Sequence, residues 1–195
     1  MQNVVAKLGK VLFHPITSYM TFHGKATVWE DLNFDPGAHG GPSVSEPDFV
    51  VIGNVGYHEF KSSNNQFAFE QREIPHACKL GSLAYAHAHI FLKSGETAGT
   101  TGVTFTMYWE LRENGATTNG TLTMSATSAE LAADGHKVDI FNVTPIAIPS
   151  SLGAQLAVKM ARTAGNAGDV ILLPYGIHYE SDSVGSSQML NKYSA

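Results

Sequence analysis

Cysteine, charge and long apolar runs are all scarce in this 195-residue chain. The single Cys78 excludes an intrachain disulfide framework and a cysteine-rich zinc site. Charged residues make up only 15% of the chain, against roughly 25% in an average soluble domain. No Lys/Arg run occurs, and with a formal net charge of −5 there is no electrostatic footprint for nucleic acid. No apolar stretch approaches the roughly 20 residues of a membrane helix. The opening "MQNVVAKLGKVLFHPITSY" has no small-residue cleavage site after an apolar core and is not read as a signal peptide. A G-x-S-x-G elbow, a phosphate-binding loop, Rossmann-type alternation and internal repeats are missing as well.

What is present is period-2 patterning broken by turn residues. "ATVWEDL" reads as a short strand, and "NFDPGAHGGPSVSEPD" as a loop. "FVVIGNVGYHEF" is an apolar strand whose glycines suggest a bend or bulge. "NNQFAFEQREI", "TTGVTFTMYWELRENG" and "TNGTLTMSATSAEL" alternate, the last two separated by the turn signal "ENGATTNG". In "HKVDIFNVTPIAIP", Pro145 favours an edge or a strand end. "GAQLAVKMARTAG" fits a helix by propensity, or a strand setting Gln155, Ala157, Lys159 and Ala161 against Leu156, Val158, Met160 and Arg162. "GDVILLPYGIHYESD" is the last strong strand, followed by a polar tail. About eight evenly spaced strands predict an all-β protein, an antiparallel β-sandwich or jelly roll, spanning residues 26–195.

Residues 1–25 stand apart. Weak helical periodicity, interrupted by Gly9 and stopped by Pro15, allows a short helix, a strand or an arm that orders on a partner. Its apolar side chains Val4, Val5, Leu8, Val11, Leu12 and Phe13 are the predicted docking residues. At about 25 cal/mol per Å² of apolar surface, a few of them contribute several kcal/mol on burial.

The chemistry-bearing stretch is "GSLAYAHAHIF", in which His87 and His89 lie two apart and so on one strand face. It matches the first cupin motif, G-x5-H-x-H, and "GDVILLPYGIH" comes within one residue of the second, offering His178. Three imidazoles from neighbouring strands are a sound ligand set for a divalent ion. Two departures oppose that reading. Glu96 lies too far beyond His89, in a Gly-flanked turn. The residue missing before His178 matters because a one-residue slip turns a side chain to the other face. The alternative is structural: a hydrogen-bonded inner layer flanked by Tyr85, Phe91 and Tyr108, or a subunit contact, with no metal and no cofactor. Trp29, Tyr108 and Trp109 read as core, and Glu70, Glu73, Asp139 and Asp182 as scattered carboxylates without a pairing.

One combination goes further. "EQREIPHACKLGSLAYAHAHIF", "VTFTMYWEL" and "GIHYESDSVGSSQ" together resemble a family of tailed-bacteriophage virion proteins. That family carries a P-H-x-x-K-x-G-S segment leading to H-x-H, then a strand around Trp, and near the C-terminus H-Y-x-x-D-S-x-G-S-x-Q. The matching positions are Pro75, His76, Lys79, Gly81, Ser82, His87, His89, Trp109, His178, Tyr179, Gly185, Ser186 and Gln188. "VWEDLNFDP" echoes the family's start, so coverage runs from about Val28 to Gln188. Arg72, Glu73 and Ile74 depart from the Gln-Met or Gln-Leu pair that often precedes Pro-His, and Ser187 stands where Arg is frequent.

The resemblance implies a jelly-roll structural protein of the virion, made in the host cytoplasm and without enzymatic activity. A capsid decoration, cement or spike subunit fits a small single domain with an arm, and a tail-associated or receptor-binding protein is the alternative. Its expected partners are copies of itself, as a trimer, and the major capsid protein or other virion proteins. Neither nucleic acid nor membrane is an expected partner. A cupin-like metal-binding enzyme is the rival from another class.

Overall fold

A computed structural model describes residues 10–14, 19–23, 28–37, 46–62, 66–132, 136–149 and 153–181, the first two segments by backbone alone. Nearly all the regular structure of the described residues is strand. β1 (Lys10–His14) and β2 (Tyr19–His23) pair antiparallel as a separate two-stranded ribbon. The arm segment therefore contains extended hairpin backbone rather than helix. Val4, Val5 and Leu8 lie outside the described residues, and Val11, Leu12 and Phe13 fall on β1.

β3 (Val28–Phe34), β4 (Asp48–Ile52), β5 (Val55–Phe60), β7 (Leu83–Leu92), β10 (Val138–Phe141), β11 (Ile146–Ala147) and β13 (Val170–Ser181) form one seven-stranded sheet. β6 (Phe67–Glu73), β8 (Val103–Glu113), β9 (Ala116–Ala126) and β12 (Gln155–Gly165) form a four-stranded sheet in the order β6-β12-β8-β9. All pairings are antiparallel, and the two sheets enclose one core: the fold is an antiparallel β-sandwich.

The strand count exceeds the eight read from pattern, for local reasons. "FVVIGNVGYHEF" is a hairpin, not one bent strand: Ile52 pairs with Val55 across the two-residue loop Gly53–Asn54. "HKVDIFNVTPIAIP" breaks into β10 and β11, the latter starting directly after Pro145. In "ENGATTNG" only Asn114–Gly115 turns, because Gly115 at φ +79° supplies the positive φ of a tight hairpin. The remainder of that stretch is β9. "GAQLAVKMARTAG" is strand β12, and the apolar alternation Leu156, Val158, Met160 faces inward together with buried Arg162. The four-residue helix α1 (Ser128–Leu131) follows a T-x-x-E capping box. Thr127 Oγ1 accepts from Glu130 N–H, and Glu130 Oε2 accepts from Thr127 N–H.

Within the core, β7 contributes mostly small residues, and large ones come from its neighbours and from the facing sheet. β7 turns Ala84, Ala86, Ala88, Ile90 and Leu92 inward beside Tyr175, Ile177 and Tyr179 of β13. Phe105, Met107, Leu122, Met124, Leu156, Val158 and Met160 meet them from the four-stranded sheet. Phe60 and Phe105 join the sheets edge to face, with ring centroids 5.3 Å apart.

β13 carries one more residue than β7 between Leu172 and Tyr175. This bulge at Leu173–Pro174 lets both Leu172 and Tyr175 face the core, and it houses a proline within a central strand. The bulge also fixes which face receives His178.

Candidate functional site

The core takes the even positions of β7, so Leu83, Tyr85, His87, His89 and Phe91 point to the opposite, outer face. The histidines are therefore not part of an inner layer between the sheets. Alternation separates two sets of side chains without saying which set faces the other sheet, and here the alanines do.

Four adjacent strands build the outer face around His87. β10 sets Phe141 opposite His87 and Asp139 opposite His89. On the other side, β13 sets Gly176 opposite His87 and His178 opposite Tyr85. β3 then sets Asp31 opposite His178 and Trp29 opposite Glu180. Gly176 is required for this approach, because a Cβ there would lie 2.4 Å from the Leu32 carbonyl oxygen. A larger residue would push β3, and Asp31 with it, away from His178.

His87 is the centre of the cluster and is only 1% exposed. Its ring stacks on His178 with centroids 4.0 Å apart and planes at 17°. His89 lies 5.0 Å away by ring centroid, and Phe141 6.3 Å. Neither ring nitrogen of His87 has a hydrogen-bond partner. The hydrogen-bonded layer expected from the sequence thus fails at its central member. Burial first, and the neighbouring His178 second, push the His87 ring down from 6.5 to about 4, so it is neutral at physiological pH.

The other two histidines are partnered. His178 Nδ1 contacts Asp31 Oδ1. His89 Nδ1 donates to Asp139 Oδ1 at 2.6 Å, and Lys137 Nζ donates to the same oxygen at 2.5 Å. Lys137 above all, with His89, holds the Asp139 carboxyl below its ordinary range. Asp31, His87 and His178 bring one possible ligand atom each to within 4.8 Å of one another. His89 is not in that set, because its ring is turned to Asp139.

Sequence reasoning missed Asp31 and Asp139. Asp31 lies inside the "VWEDL" strand, but only register reveals that it faces His178. Of the carboxylates read as unpaired, Asp139 meets His89 and Lys137, Glu70 meets Arg72, and Glu73 meets His76. Asp182 lies outside the described residues.

Three of the segments carrying the resemblance meet at this sheet, while "VTFTMYWEL" lies on β8 of the other. Lys79 Nζ bonds Glu180 Oε2 at 2.6 Å, and Lys79 N–H donates to the Glu180 carbonyl. Cys78 bridges to Ser181, and Gly81 N–H donates to the Pro149 carbonyl. Tyr179 donates its hydroxyl to Glu30 Oε2 at 2.8 Å. His76 stands beside Glu73, just before β7. Gly185, Ser186 and Gln188 lie outside the described residues.

The aromatics divide. Trp109 packs against the core from the four-stranded sheet, away from the histidines. Trp29 and Tyr108 are 47% and 41% exposed, so neither is a core residue. Trp29 packs on Tyr85 at 5.8 Å, and Phe91 on Tyr57 at 5.6 Å. Tyr108, expected beside the histidines, lies instead in a groove of about 1110 Å³ on the other sheet. There the Lys159 ammonium sits 4.5 Å from its ring centroid.

No family model matches the chain, and no curated protein matches it. Three solved structures are similar in fold. One is the C-terminal family 22 carbohydrate-binding module of Clostridium thermocellum xylanase 10B, at 15% identity and a TM-score of 0.37, covering 78% of this chain and 82% of that one. A second is the CBM22-1–GH10 modules of the N-terminal Clostridium thermocellum endo-1,4-beta-D-xylanase 10B complexed with xylohexaose, at 10% identity and a TM-score of 0.35, covering 93% of this chain and 30% of that one. The third is a xylan-binding domain of family 22, at 13% identity and a TM-score of 0.32, covering 78% and 83%.

Proposed function

We propose that this chain is a structural subunit of a bacteriophage particle, a capsid decoration or spike protein without enzymatic activity. In this reading it is made in the host cytoplasm, assembles with copies of itself as a trimer, and docks on the major capsid protein through residues 1–25.

One observation carries the reading. Three of the four stretches on which the virion resemblance rests are far apart in sequence yet lie on or lead into β3, β13 and β7, where β13 pairs with both of the others; the fourth, with Trp109, lies on β8 of the other sheet. Their individual residues also touch: Lys79 with Glu180, His87 with His178, and Asp31 with His178. Of these contacts, the one between His87 and His178 joins two matched positions from separate segments, and it is the one that supports the reading.

The surface around them supports an assembling protein. Trp29, Leu83, Phe141 and Val143 belong to that sheet or its loops and are 47%, 43%, 55% and 88% exposed. A second exposed apolar group, Phe49, Val51 and Val55, crowns the β4–β5 hairpin. Several large apolar side chains exposed on one sheet and its hairpin fit a surface that meets other proteins.

Re-attachment tests the proposal. Purified full-length chain, added to particles lacking it, should co-sediment with them, and a chain reduced to residues 26–195 should stay in the supernatant while folding normally. The proposal fails if the full chain does not sediment with particles, and the docking role of the arm fails if the shortened chain binds equally well.

A further inference from the structure

We propose that Asp31, His87 and His178 hold a divalent first-row transition-metal ion that cross-links β3, β7 and β13. This inference is independent of the virion reading.

Three observations carry it. The first is placement. Each donor comes from a different strand, the strands are adjacent, and one ligand atom from each lies within 4.8 Å of the others. Around a bound ion with bonds of about 2.0–2.2 Å, donors stand roughly 3–3.5 Å apart. Small side-chain rotations of exposed Asp31 and half-buried His178 close that difference. The backbone is already set by the Gly176 approach and by the bulge, which puts His178 on the face of His87.

The second observation is the state of His87. It is 1% exposed, and both ring nitrogens are without a partner. A buried polar group left unsatisfied costs about 1–3 kcal/mol, so the site holds a lone pair in need of an acceptor. A metal ion supplies one.

The third is the division of labour among the neighbours. His89 is already committed to Asp139, which Lys137 also engages. That side of the cluster is closed by its own charge balance. Among the described residues Asp31 pairs with His178 and with no Lys or Arg, and its carboxylate offsets the charge of an ion. Two imidazoles and one carboxylate with further positions open to water suit zinc, iron, cobalt or nickel better than calcium or magnesium, which favour all-oxygen sets.

The test uses full-length protein stripped with a chelator and titrated with Co²⁺, whose visible absorption reports inner-sphere ligands, and separately with Zn²⁺ in a calorimeter. We expect one ion per chain, a rise in Tm on binding, and competition of Zn²⁺ for the Co²⁺ bands. Asp31→Asn and His178→Asn, both at accessible positions where folding should survive, should each weaken binding by at least about tenfold. His89→Asn should leave the affinity within about twofold. Binding below one equivalent, or binding that persists unchanged in Asp31→Asn and His178→Asn through surface histidines such as His58, His76 and His136, would overturn the proposal. So would a His89→Asn variant that loses the ion as completely as His178→Asn does.

Discussion

Arg162→Met should destabilise the protein by about 3–6 kcal/mol, enough to unfold much of it at 37 °C if total stability lies in the usual range of about 5–15 kcal/mol. Arg162 is 7% exposed and projects inward from β12. Its Nη1 donates to the carbonyls of Phe60 at 3.1 Å and Gly168 at 2.8 Å, and its Nη2 donates to the Ala167 carbonyl. Phe60 ends β5 of the seven-stranded sheet, so one guanidinium ties the two sheets to each other and to the turn that leads into β13. Burial lowers its pKa from the usual arginine value, with Asp169 and then Glu96 acting the other way. Methionine matches the length of the stem but leaves three carbonyls without this donor. Arg162→Lys should recover only part of the loss, because a single ammonium does not reproduce the planar fork. Urea denaturation followed by circular dichroism measures both variants, and a loss below about 1 kcal/mol for Arg162→Met would show that the fork is not a tie between the sheets.

Phe105→Ala should cost about 3–5 kcal/mol. Phe105 is fully buried, and its ring meets Phe60 edge to face across the sandwich. On the seven-stranded side β7 offers mainly alanines at Ala84, Ala86 and Ala88, so the opposing sheet must supply the volume. Removing one large ring there leaves a cavity that small neighbours cannot fill. Phe105→Leu should keep most of the stability, since volume-conserving changes usually cost less than about 1.5 kcal/mol. The check is a chemical-denaturation midpoint that falls with an unchanged slope. Equal midpoints for Phe105→Ala and the parent would contradict this account of the core.

These two residues show how much of the fold is legible in the sequence. Strand alternation places Phe105 and Arg162 in their strands, and for β12 it also groups Arg162 with Leu156, Val158 and Met160. It does not say that a charged side chain in that set goes inward, because one receiving carbonyl, that of Phe60, lies far away in the chain and the other two, of Ala167 and Gly168, are turned toward Arg162 only by the loop after β12. The same limit governs the histidines. "AYAHAHIF" separates Ala84, Ala86 and Ala88 from Tyr85, His87 and His89, yet which set meets the other sheet depends on the large residues of β8, β9 and β12. Bulky side chains suggest a core, yet in this stretch of β7 it is the alanines that turn inward.

Local chemistry sets a second limit. The Asn114–Gly115 hairpin stands out in the sequence, whereas the Gly53–Asn54 hairpin hides inside an unbroken apolar run. The bulge at Leu173–Pro174 changes register by one residue and so decides whether His178 joins His87 or faces away. A motif count along one strand cannot detect it, because a bulge is defined by the partner strand. Asp31 is hidden for the same reason: it lies more than fifty residues before His87, and only the pairing of β3 with β13 makes them neighbours.

The central claim is that this chain is part of a virion, and particle composition tests it most directly. Particles produced by cells that carry the gene for this chain are purified by density gradient, washed at high salt, and digested for quantitative mass spectrometry. The account predicts peptides of this chain co-purifying with the major capsid protein at a fixed ratio across gradient fractions. Infected-cell lysate rich in this chain, with mature particles that contain none of it, would contradict the account.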